Sequence, residues 1–324
     1  MEDSRIPVTI ITGFLGAGKT TFINHLIGQY PEKKFAIIEN EVGEVPLDGS
    51  LIVGTDETIF ELSNGCICCS LNTEFYQVIR HLLDGDYVFN HLLIETTGIA
   101  DPTSVINAFL SDYEIIDQFA IDSVICLADA MNLEELIDSE PEARKQLAMA
   151  DIVLLNKTDQ VRDGYADELR SKIADINPLS EVYPVVKADV SGVEILDVFR
   201  YSGKQIEKSV SSFRNLTFLR NNNFKHDIRS EGIAFPGSMD WEKFRFWFET
   251  VLIFAKYRPY RVKGILSFED VAEKCILHAI KDNYVFEKGA VWQSDDERYC
   301  KMVFIGRDID KLKIQENIEK VRIK

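Results

Sequence analysis

The feature that most constrains the fold is a glycine-rich stretch at residues 13–20, Gly-Phe-Leu-Gly-Ala-Gly-Lys-Thr. The β-branched residues 8–12 before it predict a buried strand, and residues 20–27 after it have the apolar spacing of a helix. Glycines let a backbone curl so that its amides point at phosphate oxygens, and the N-terminus of the following helix adds positive potential. Strand, loop and helix together predict a phosphate-binding loop.

Seven residues of this loop are predicted to contact a nucleotide. They are Gly13, Gly16, Ala17, Gly18, Lys19, Thr20 and Thr21. Lys19 would lie on the β- and γ-phosphates and act in catalysis, and the Thr20 hydroxyl would hold Mg²⁺. A glycine-rich turn without a ligand is the alternative, and the agreement of all three elements argues against it.

A second nucleotide signal is Asn156-Lys157-Thr158-Asp159, which follows a buried-strand run at residues 152–155. The Asp159 carboxylate can accept two hydrogen bonds from the N1–H and N2 amine of guanine, and adenine offers no such pair of donors. The Lys157 stem can lie over the base. Any polar turn after a strand would explain the tetrapeptide alone, but its position after a phosphate-binding loop favours GTP over ATP.

Residues 91–98, His-Leu-Leu-Ile-Glu-Thr-Thr-Gly, form an apolar strand that ends in a carboxylate. Glu95 would orient a Mg²⁺-bound water or assist the attacking water. Gly98 would approach the γ-phosphate through its backbone. An ordinary strand end is the alternative, because a single acidic residue after a strand is common.

Three cysteines, Cys66, Cys68 and Cys69, lie between these motifs, after a polar turn and before a helix-like stretch. Thiols near a helix N-terminus are acidified, and two or three thiolates favour Zn²⁺, Cu(I) or a borderline ion such as Co²⁺. Three sulfurs leave one tetrahedral position open, as a transfer site requires. A Cys66–Cys69 redox pair and a buried cysteine cluster are the alternatives. A third adjacent thiol is superfluous for a dithiol couple, which favours metal.

These motifs, in this order, resemble the CobW family of metal-insertion GTPases. The resemblance extends to residues 39–44 (Glu-Asn-Glu-Val-Gly-Glu), 95–102, 263–264 and 302–306. It implies a cytosolic metallochaperone or metal-homeostasis GTPase in which Cys66, Cys68 and Cys69 are metal ligands. It also implies that residues 39–44 are a switch near metal and nucleotide. Many relatives carry a His-rich tract before the C-terminal domain, whereas here only His226 lies near that boundary, so a storage role is not expected.

Strands predicted near residues 8–12, 35–39, 91–95, 122–128 and 151–155 alternate with helical stretches, which is typical of a parallel α/β sheet. We therefore predict a P-loop NTPase domain over residues 1–205, with helices flanking the sheet and the cysteine motif embedded in it. The polar stretch 201–212 is predicted to be a linker. A smaller α+β domain is expected over residues 213–324.

The apolar spacing in the second domain predicts some elements clearly and leaves others ambiguous. Residues 241–252 and 311–321 have helical spacing. Residues 271–280 also have helical spacing, but the family resemblance implies strands there, and we predict strands because short windows are ambiguous. Among single residues, Cys126 and Cys300 are expected in the core and His91 at the surface.

Composition limits the partners. The 324-residue chain is 46% hydrophobic, enough for two cores, and its net charge of -17 argues against nucleic acid and anionic membranes. No run reaches the length of a membrane helix, and residues 1–4 do not begin a signal peptide. Six cysteines, three of them clustered, indicate a reducing compartment, and we expect a cytoplasmic protein.

We predict a slow GTPase that binds zinc or cobalt and delivers it to a client apo-protein. GTP and Mg²⁺ would order the 39–44 switch, the cysteines would take the metal with Glu39 as an oxygen ligand, and hydrolysis would release it. Two alternatives stay open. One is a regulatory GTPase whose cysteines sense redox state, and the other is a metal buffer or sensor in which GTP only stabilises the fold. A homodimer also stays open.

Overall fold

The structure, a computed structural model, describes residues 4–39, 58–61, 73–211 and 227–323. The chain divides into two compact units. The first comprises residues 1–173 and 180–200, and the second comprises residues 174–179 and 201–324. The domain limits expected from the sequence, 1–205 and 213–324, stay a prediction.

A seven-stranded parallel sheet forms the centre of the first unit, in the order β3-β2-β4-β1-β5-β6-β7. The strands are β1 (Ile6–Gly13), β2 (Phe35–Glu39), β3 (Thr58–Glu61), β4 (His91–Glu95), β5 (Phe119–Asp129), β6 (Ile152–Asn156) and β7 (Glu181–Pro184). The helices are α1 (Lys19–Gln29), α2 (Thr73–Asp84), α3 (Thr103–Ser111), α4 (Tyr113–Ile116), α5 (Leu133–Ser139), α6 (Pro141–Met149) and α7 (Tyr165–Ile176).

Burial explains why these strands are continuously apolar. Every residue of β2, β5 and β6 is buried, as expected for parallel strands that helices cover on both faces. Helix α1 packs Phe22, Ile23 and Leu26 into the same core as Ile11 of β1. The packing of α1 against its own strand fixes the loop that joins them.

The second unit contains a five-stranded antiparallel sheet in the order β11-β10-β9-β12-β8. Its strands are β8 (Ile228–Pro236), β9 (Pro259–Leu266), β10 (Glu273–Ile280), β11 (Asn283–Val291) and β12 (Tyr299–Arg307). Its helices are α8 (Gly203–Ser211), α9 (Trp241–Phe254) and α10 (Ile314–Val321).

Helices cover both faces of this second sheet. Phe244 and Phe248 of α9 pack with Leu277 of β10 on one face. Ile206 of α8 packs with Ile276 of β10 on the other. Successive residues of a strand point to opposite faces, so β10 is apolar on both sides.

The predicted fold class is confirmed: a parallel α/β sheet is followed by an α+β unit. Strand β10 also confirms the prediction for residues 271–280. Its helix-like spacing arises because neighbouring side chains are buried under different helices, which abolishes simple alternation.

Two predictions were wrong. Most of the expected linker 201–212 is helix α8, because Ile206 and Val210 lie one turn apart and are both buried against the sheet. His91 is buried rather than exposed, and its Nε2 lies 2.9 Å from the Thr9 hydroxyl. Among the described residues, no helix has both the length and the apolar character needed to cross a bilayer.

Candidate functional site

The predicted nucleotide residues converge at the carboxyl ends of the central strands. In the parallel sheet, Ile11 of β1 is in register with Glu95 of β4, and Glu95 is in register with Glu39 of β2. The loop 13–18 leaves β1 at this edge and leads into α1. Ligands of open α/β sheets bind at this edge.

The loop takes its shape from three glycines with positive φ. Gly13, Gly16 and Gly18 have φ values of 138°, 75° and 105°. A Cβ on Gly13 would lie 2.2 Å from the Leu127 carbonyl oxygen, so no larger residue fits there. These angles strain any other residue, which is the physical reason for the glycine pattern.

The N-terminus of α1 is open to a ligand. Its N-cap is Gly18, which supplies no side-chain hydrogen bond, and the first turn contains no acidic residue. The first amides of the helix therefore have no side-chain acceptor at the cap. This cradle fits an anion such as a phosphate group.

Lys19 folds back over the loop. Its Nζ donates to the Gly13 carbonyl at 3.1 Å and lies 3.8 Å from the Glu95 Oε1. Lys19 is buried and the Glu95 side chain is largely so. The ammonium and the carboxylate thus form a largely buried ion pair at the carboxyl ends of β1 and β4.

Glu39 ends β2 and is buried. Because Glu39 and Glu95 are register partners on neighbouring strands, their backbones lie ~4.8 Å apart. The predicted metal ligand and the predicted catalytic carboxylate are therefore direct neighbours.

Gly98 touches the phosphate loop. A Cβ at this position would lie 2.7 Å from the Leu15 nitrogen, so only glycine permits the approach. Gln146 of α6 donates from Nε2 to the carbonyls of Gly98 and Ala100, at 3.1 Å each. The segment after β4 thus contacts the phosphate loop and is anchored to α6.

Asn156 connects the base-recognition motif to the phosphate loop. Its Nδ2 donates to the Ala17 carbonyl at 2.9 Å, and its Oδ1 accepts from the Ala188 nitrogen at 2.8 Å. The side chain is buried. It therefore acts as a strut between three segments that are far apart in sequence.

Lys157 and Asp159 lie on the open side of that strut. Lys157 has a φ of 61°, and its Nζ lies 2.8 Å from the Asp129 Oδ2 at the end of β5. Asp159 lies in the short 3-10 turn Thr158–Gln160 and is exposed. An exposed carboxylate can accept the paired hydrogen bonds that a guanine edge offers.

Sequence reasoning missed three contributors to this site. The strut role of Asn156, the carboxylate of Asp129 and the amide of Gln146 all act through contacts between distant segments. The sequence did contain one signal for Asp129, since it is a carboxylate that ends a strand, as Glu95 does.

The predicted metal ligands Cys66, Cys68 and Cys69 lie outside the described residues, as does most of the 39–44 switch. Within the described parts, no group of three or more His, Cys, Asp or Glu side chains could hold a metal ion. The Cys126 and Cys300 side chains are buried in the two cores, which raises the pKa of each thiol to about 12. Neither is a thiolate at neutral pH, in agreement with the expected core roles.

The fold and the loop define this protein as a P-loop nucleotide-binding protein with an added antiparallel-sheet domain. Residues 7–184 match the CobW/HypB/UreG nucleotide-binding domain, and residues 228–322 match the Cobalamin synthesis protein cobW C-terminal domain. The chain belongs to the CobW/HypB/UreG family. The family expected from the sequence is confirmed.

Full-length relatives agree with this assignment. The chain is 33% identical over 315 residues to the zinc chaperone YjiA of Escherichia coli strain K12, with 96% of each chain covered. It is 28% identical over 345 residues to the zinc-regulated GTPase metalloprotein activator 1 of Schizosaccharomyces pombe, covering 95% of this chain and 84% of the relative. The crystal structure of Zn(II)-bound YjiA GTPase from E. coli matches with a TM-score of 0.77 at 28% identity, over 99% of this chain and 100% of that one.

Proposed function

We propose that this protein is a GTP-hydrolysing chaperone that carries a thiophilic divalent metal, zinc or cobalt, to a client protein. The observation that carries the proposal is the position of Glu39 relative to the open phosphate cradle at the start of α1. Glu39 ends β2, the cradle follows β1, and Glu95 of β4 lies between these two strands. Similarity to a zinc chaperone, to a zinc-regulated GTPase metalloprotein activator and to a Zn(II)-bound GTPase supports it.

In this proposal the phosphate loop binds the triphosphate. The amides from Gly13 to Thr21 surround the phosphates, and the Lys19 ammonium, held over the loop, balances the charge of the β- and γ-phosphates. Thr20 and Glu95 offer the oxygen donors that Mg²⁺ prefers, so the residues fit this ion. Mg²⁺, when bound, neutralises charge that develops on the transferring phosphoryl group.

Hydrolysis needs a positioned water and a stabilised leaving group. In this proposal Glu95, which ends β4, accepts a hydrogen bond from the attacking water, and Lys19 stabilises the charge on the phosphate. The backbone of Gly98, held by Gln146, approaches the γ-phosphate. We expect slow turnover in the absence of a partner.

Guanine selection would come from Asp159, with Lys157 over the face of the base. Asp129 holds the lysine amine at 2.8 Å, which keeps its stem extended across the base position. Asn156 ties this motif to the loop that carries the phosphates. Base and phosphate are then bound by one connected framework.

The metal is the cargo. Cys66, Cys68 and Cys69 would bind it as thiolates, with Glu39 as an oxygen ligand. Because Glu39 adjoins Glu95, a change at the γ-phosphate is one strand away from the metal. Loss of that phosphate would relax the 39–44 switch and weaken the metal site.

The proposal includes a protein client that receives the metal, in accordance with the relatives' names. A cytoplasmic location is part of it, based on the clustered cysteines of the sequence. Neither nucleic acid nor a membrane is proposed as a partner, and a homodimer remains a proposal without a described interface.

Nucleotide choice tests the proposal. By calorimetry, wild-type protein should bind GTP in preference to ATP, and Asp159→Ala should weaken GTP binding by about a hundredfold or more while residual ATP binding changes little. Asp163→Ala, an exposed carboxylate in the next turn, is the matched control. A wild-type preference for ATP would contradict the GTPase assignment.

A further inference from the structure

A cavity of about 410 Å³ opens at one end of the C-terminal sheet. It lies where β9 begins at Pro259, where β12 ends at Arg307 and where Lys281 and Asp282 turn from β10 into β11. Gly306 allows the strands to approach here, because a Cβ on it would lie 2.9 Å from the Pro259 Cα. The cavity is large enough to enclose a side chain or a small ligand.

The lining of this cavity is cationic. It includes four basic side chains and one carboxylate: Lys256, Arg258, Lys281, Arg307 and Asp282. This excess runs against the net charge of the whole chain, which is -17. A concave positive site on a negative protein concentrates anions locally.

Two of these cations are held in place by neighbours. The Arg307 Nε lies 2.6 Å from the Asp227 Oδ2, and the Arg258 Nε donates to the Ala255 carbonyl at 3.3 Å. Among the described residues, neither Lys256 nor Arg258 has a carboxylate partner. The cavity therefore has positive charge to spare for an incoming acid.

An apolar stripe, formed by Phe246, Ile253 and Phe254, is exposed on α9, the helix that ends just before the cavity begins in sequence. Phe246, Ile253 and Phe254 are exposed by 76%, 43% and 78%. Phe246 and Ile253 are seven residues apart and share one helix face. Phe254 ends the helix two residues before Lys256, the first lining residue. Large apolar side chains exposed together on one helix indicate a contact surface.

We propose that this cavity and stripe together bind an acidic segment of a partner polypeptide. Its carboxylates enter the cavity between Lys256, Arg258 and Arg307, and its apolar side chains cover Phe246 and Phe254. Charge complementarity selects this occupant. A small free anion would fill the cavity but leave the stripe bare. The inference rests on the C-terminal unit alone and is independent of the nucleotide and metal assignments.

Fluorescence anisotropy on the full chain tests it. The probe is a labelled twelve-residue synthetic peptide in which glutamates flank phenylalanine and leucine. Lys256→Glu with Arg258→Glu should weaken its binding about tenfold or more, as should Phe246→Ala with Phe254→Ala. Lys288→Glu with Lys320→Glu is the control of equal charge change on exposed strand and helix positions, and should have little effect. Affinity should fall as NaCl is raised.

The outcomes separate the possible occupants. Binding that needs both the basic and the aromatic pair supports the proposal. Failure of the wild type to bind the peptide, or equal loss in the control variant, overturns it. Direct binding of citrate or inorganic phosphate to the GTP-loaded protein, with peptide affinity insensitive to the aromatic pair, assigns the cavity to a small anion and also overturns it. An unchanged circular dichroism spectrum and an unchanged thermal unfolding midpoint in each variant confirm that the fold is intact.

Discussion

Asp129 shows how a single side chain outside the recognised motifs can set the geometry of the site. Its Oδ2 lies 2.8 Å from the Lys157 Nζ, and its Oδ1 accepts from the Met131 nitrogen at 2.9 Å. The carboxylate is thus fixed by its own loop and in turn fixes the lysine. A charge-assisted hydrogen bond of this kind contributes about 1.5–3 kcal/mol when well formed.

Asp129→Asn keeps the shape of this residue and removes its charge. We expect GTP affinity to fall about five- to tenfold, because the lysine stem is no longer held across the base. Titration with a fluorescent GTP analogue measures the change. Glu168→Gln on α7, which weakens an exposed ion pair with Arg162, is the control and should leave affinity unchanged.

A second residue-scale network lies in the buried part of the first unit. Thr9 contacts both the His91 Nε2 at 2.9 Å and the Asp122 Oδ2 at 3.3 Å. Asp122 also accepts from the backbone nitrogens of Asp197 and Phe199. Burial raises the pKa of Asp122 to about 7. Burial, with a contribution from Lys33 and against that of Asp197, lowers the pKa of His91 to about 3.

These two shifts affect stability in opposite directions. Because the pKa of Asp122 is raised on folding, this residue stabilises the folded state fully below pH 3.8. That stabilisation is lost as the pH rises to about 7. Because the pKa of His91 is lowered on folding, this residue stabilises the folded state fully above pH 6.5. That stabilisation is lost as the pH falls to about 3. Between pH 4 and 6.5 the two residues change the free energy of unfolding with pH in opposite directions, and the two changes nearly cancel.

Asp122→Asn should reveal the pH dependence of the unfolding free energy that His91 contributes. Relative to wild type, the free energy of unfolding of the variant should rise with pH by about 1.4 kcal/mol per unit between pH 4.5 and 6.5. Urea unfolding at a series of pH values measures it. Parallel stability curves for wild type and variant would show that Asp122 does not hold a proton in the folded state.

At the scale of elements, the site depends on the joints between β1, β6 and the loop after β7. The Asn156 side chain makes the joint through two buried hydrogen bonds, to Ala17 and Ala188. Ala188 and Lys187 both have positive φ, 56° and 52°, so this loop is strained and needs the anchor.

Asn156→Ala should therefore loosen three elements together. It leaves a buried carbonyl and a buried amide without their partner, and we expect a loss of about 2–4 kcal/mol of unfolding free energy. GTP affinity should fall at the same time. Denaturant unfolding and nucleotide titration check the two effects. Asn90→Ala removes an exposed hydrogen bond to Lys34 and should cost less than about 1 kcal/mol. Equal losses of unfolding free energy in both variants would contradict the role of Asn156 as a strut.

Much of the element order could be predicted because the first unit has strong local signals. The strands at residues 8–12, 35–39 and 91–95 are short apolar runs between polar turns, and each matches an observed strand. The Gly13–Thr20 pattern located the cradle, since its angles demand glycine whatever the rest of the fold does. Local chemistry is sufficient for such features.

Features decided by tertiary contacts were missed. The β3 strand is only four residues long and gains its place from pairing with β2. Helix α8 was missed because its composition is polar. Its two buried residues, Ile206 and Val210, are identified as core residues only by their packing against the second sheet. His91 was expected at the surface because its neighbours in sequence do not reveal Thr9, its partner in the next strand. No single-sequence pattern encodes such long-range pairs.

At the scale of the whole molecule, a nucleotide-gated metal carrier requires that nucleotide and metal influence each other's binding. Glu95 on β4 and Glu39 on β2 are register partners, so the two predicted sites share one sheet edge. The thermodynamic consequence is reciprocal: if GTP changes metal affinity, the metal changes GTP affinity by the same factor. A redox-sensing GTPase or a passive metal buffer predicts no such coupling.

Metal titration with and without nucleotide measures this coupling. Zn²⁺ or Co²⁺ should bind once per chain, and Co²⁺ should show thiolate charge-transfer bands that disappear when Cys66, Cys68 and Cys69 are changed to Ser. GTP affinity should survive that triple change. Metal affinity should differ between the GTP and GDP states by about 1–3 kcal/mol, which is roughly 5- to 150-fold. Identical metal affinities with GTP, with GDP and without nucleotide would contradict the gated chaperone.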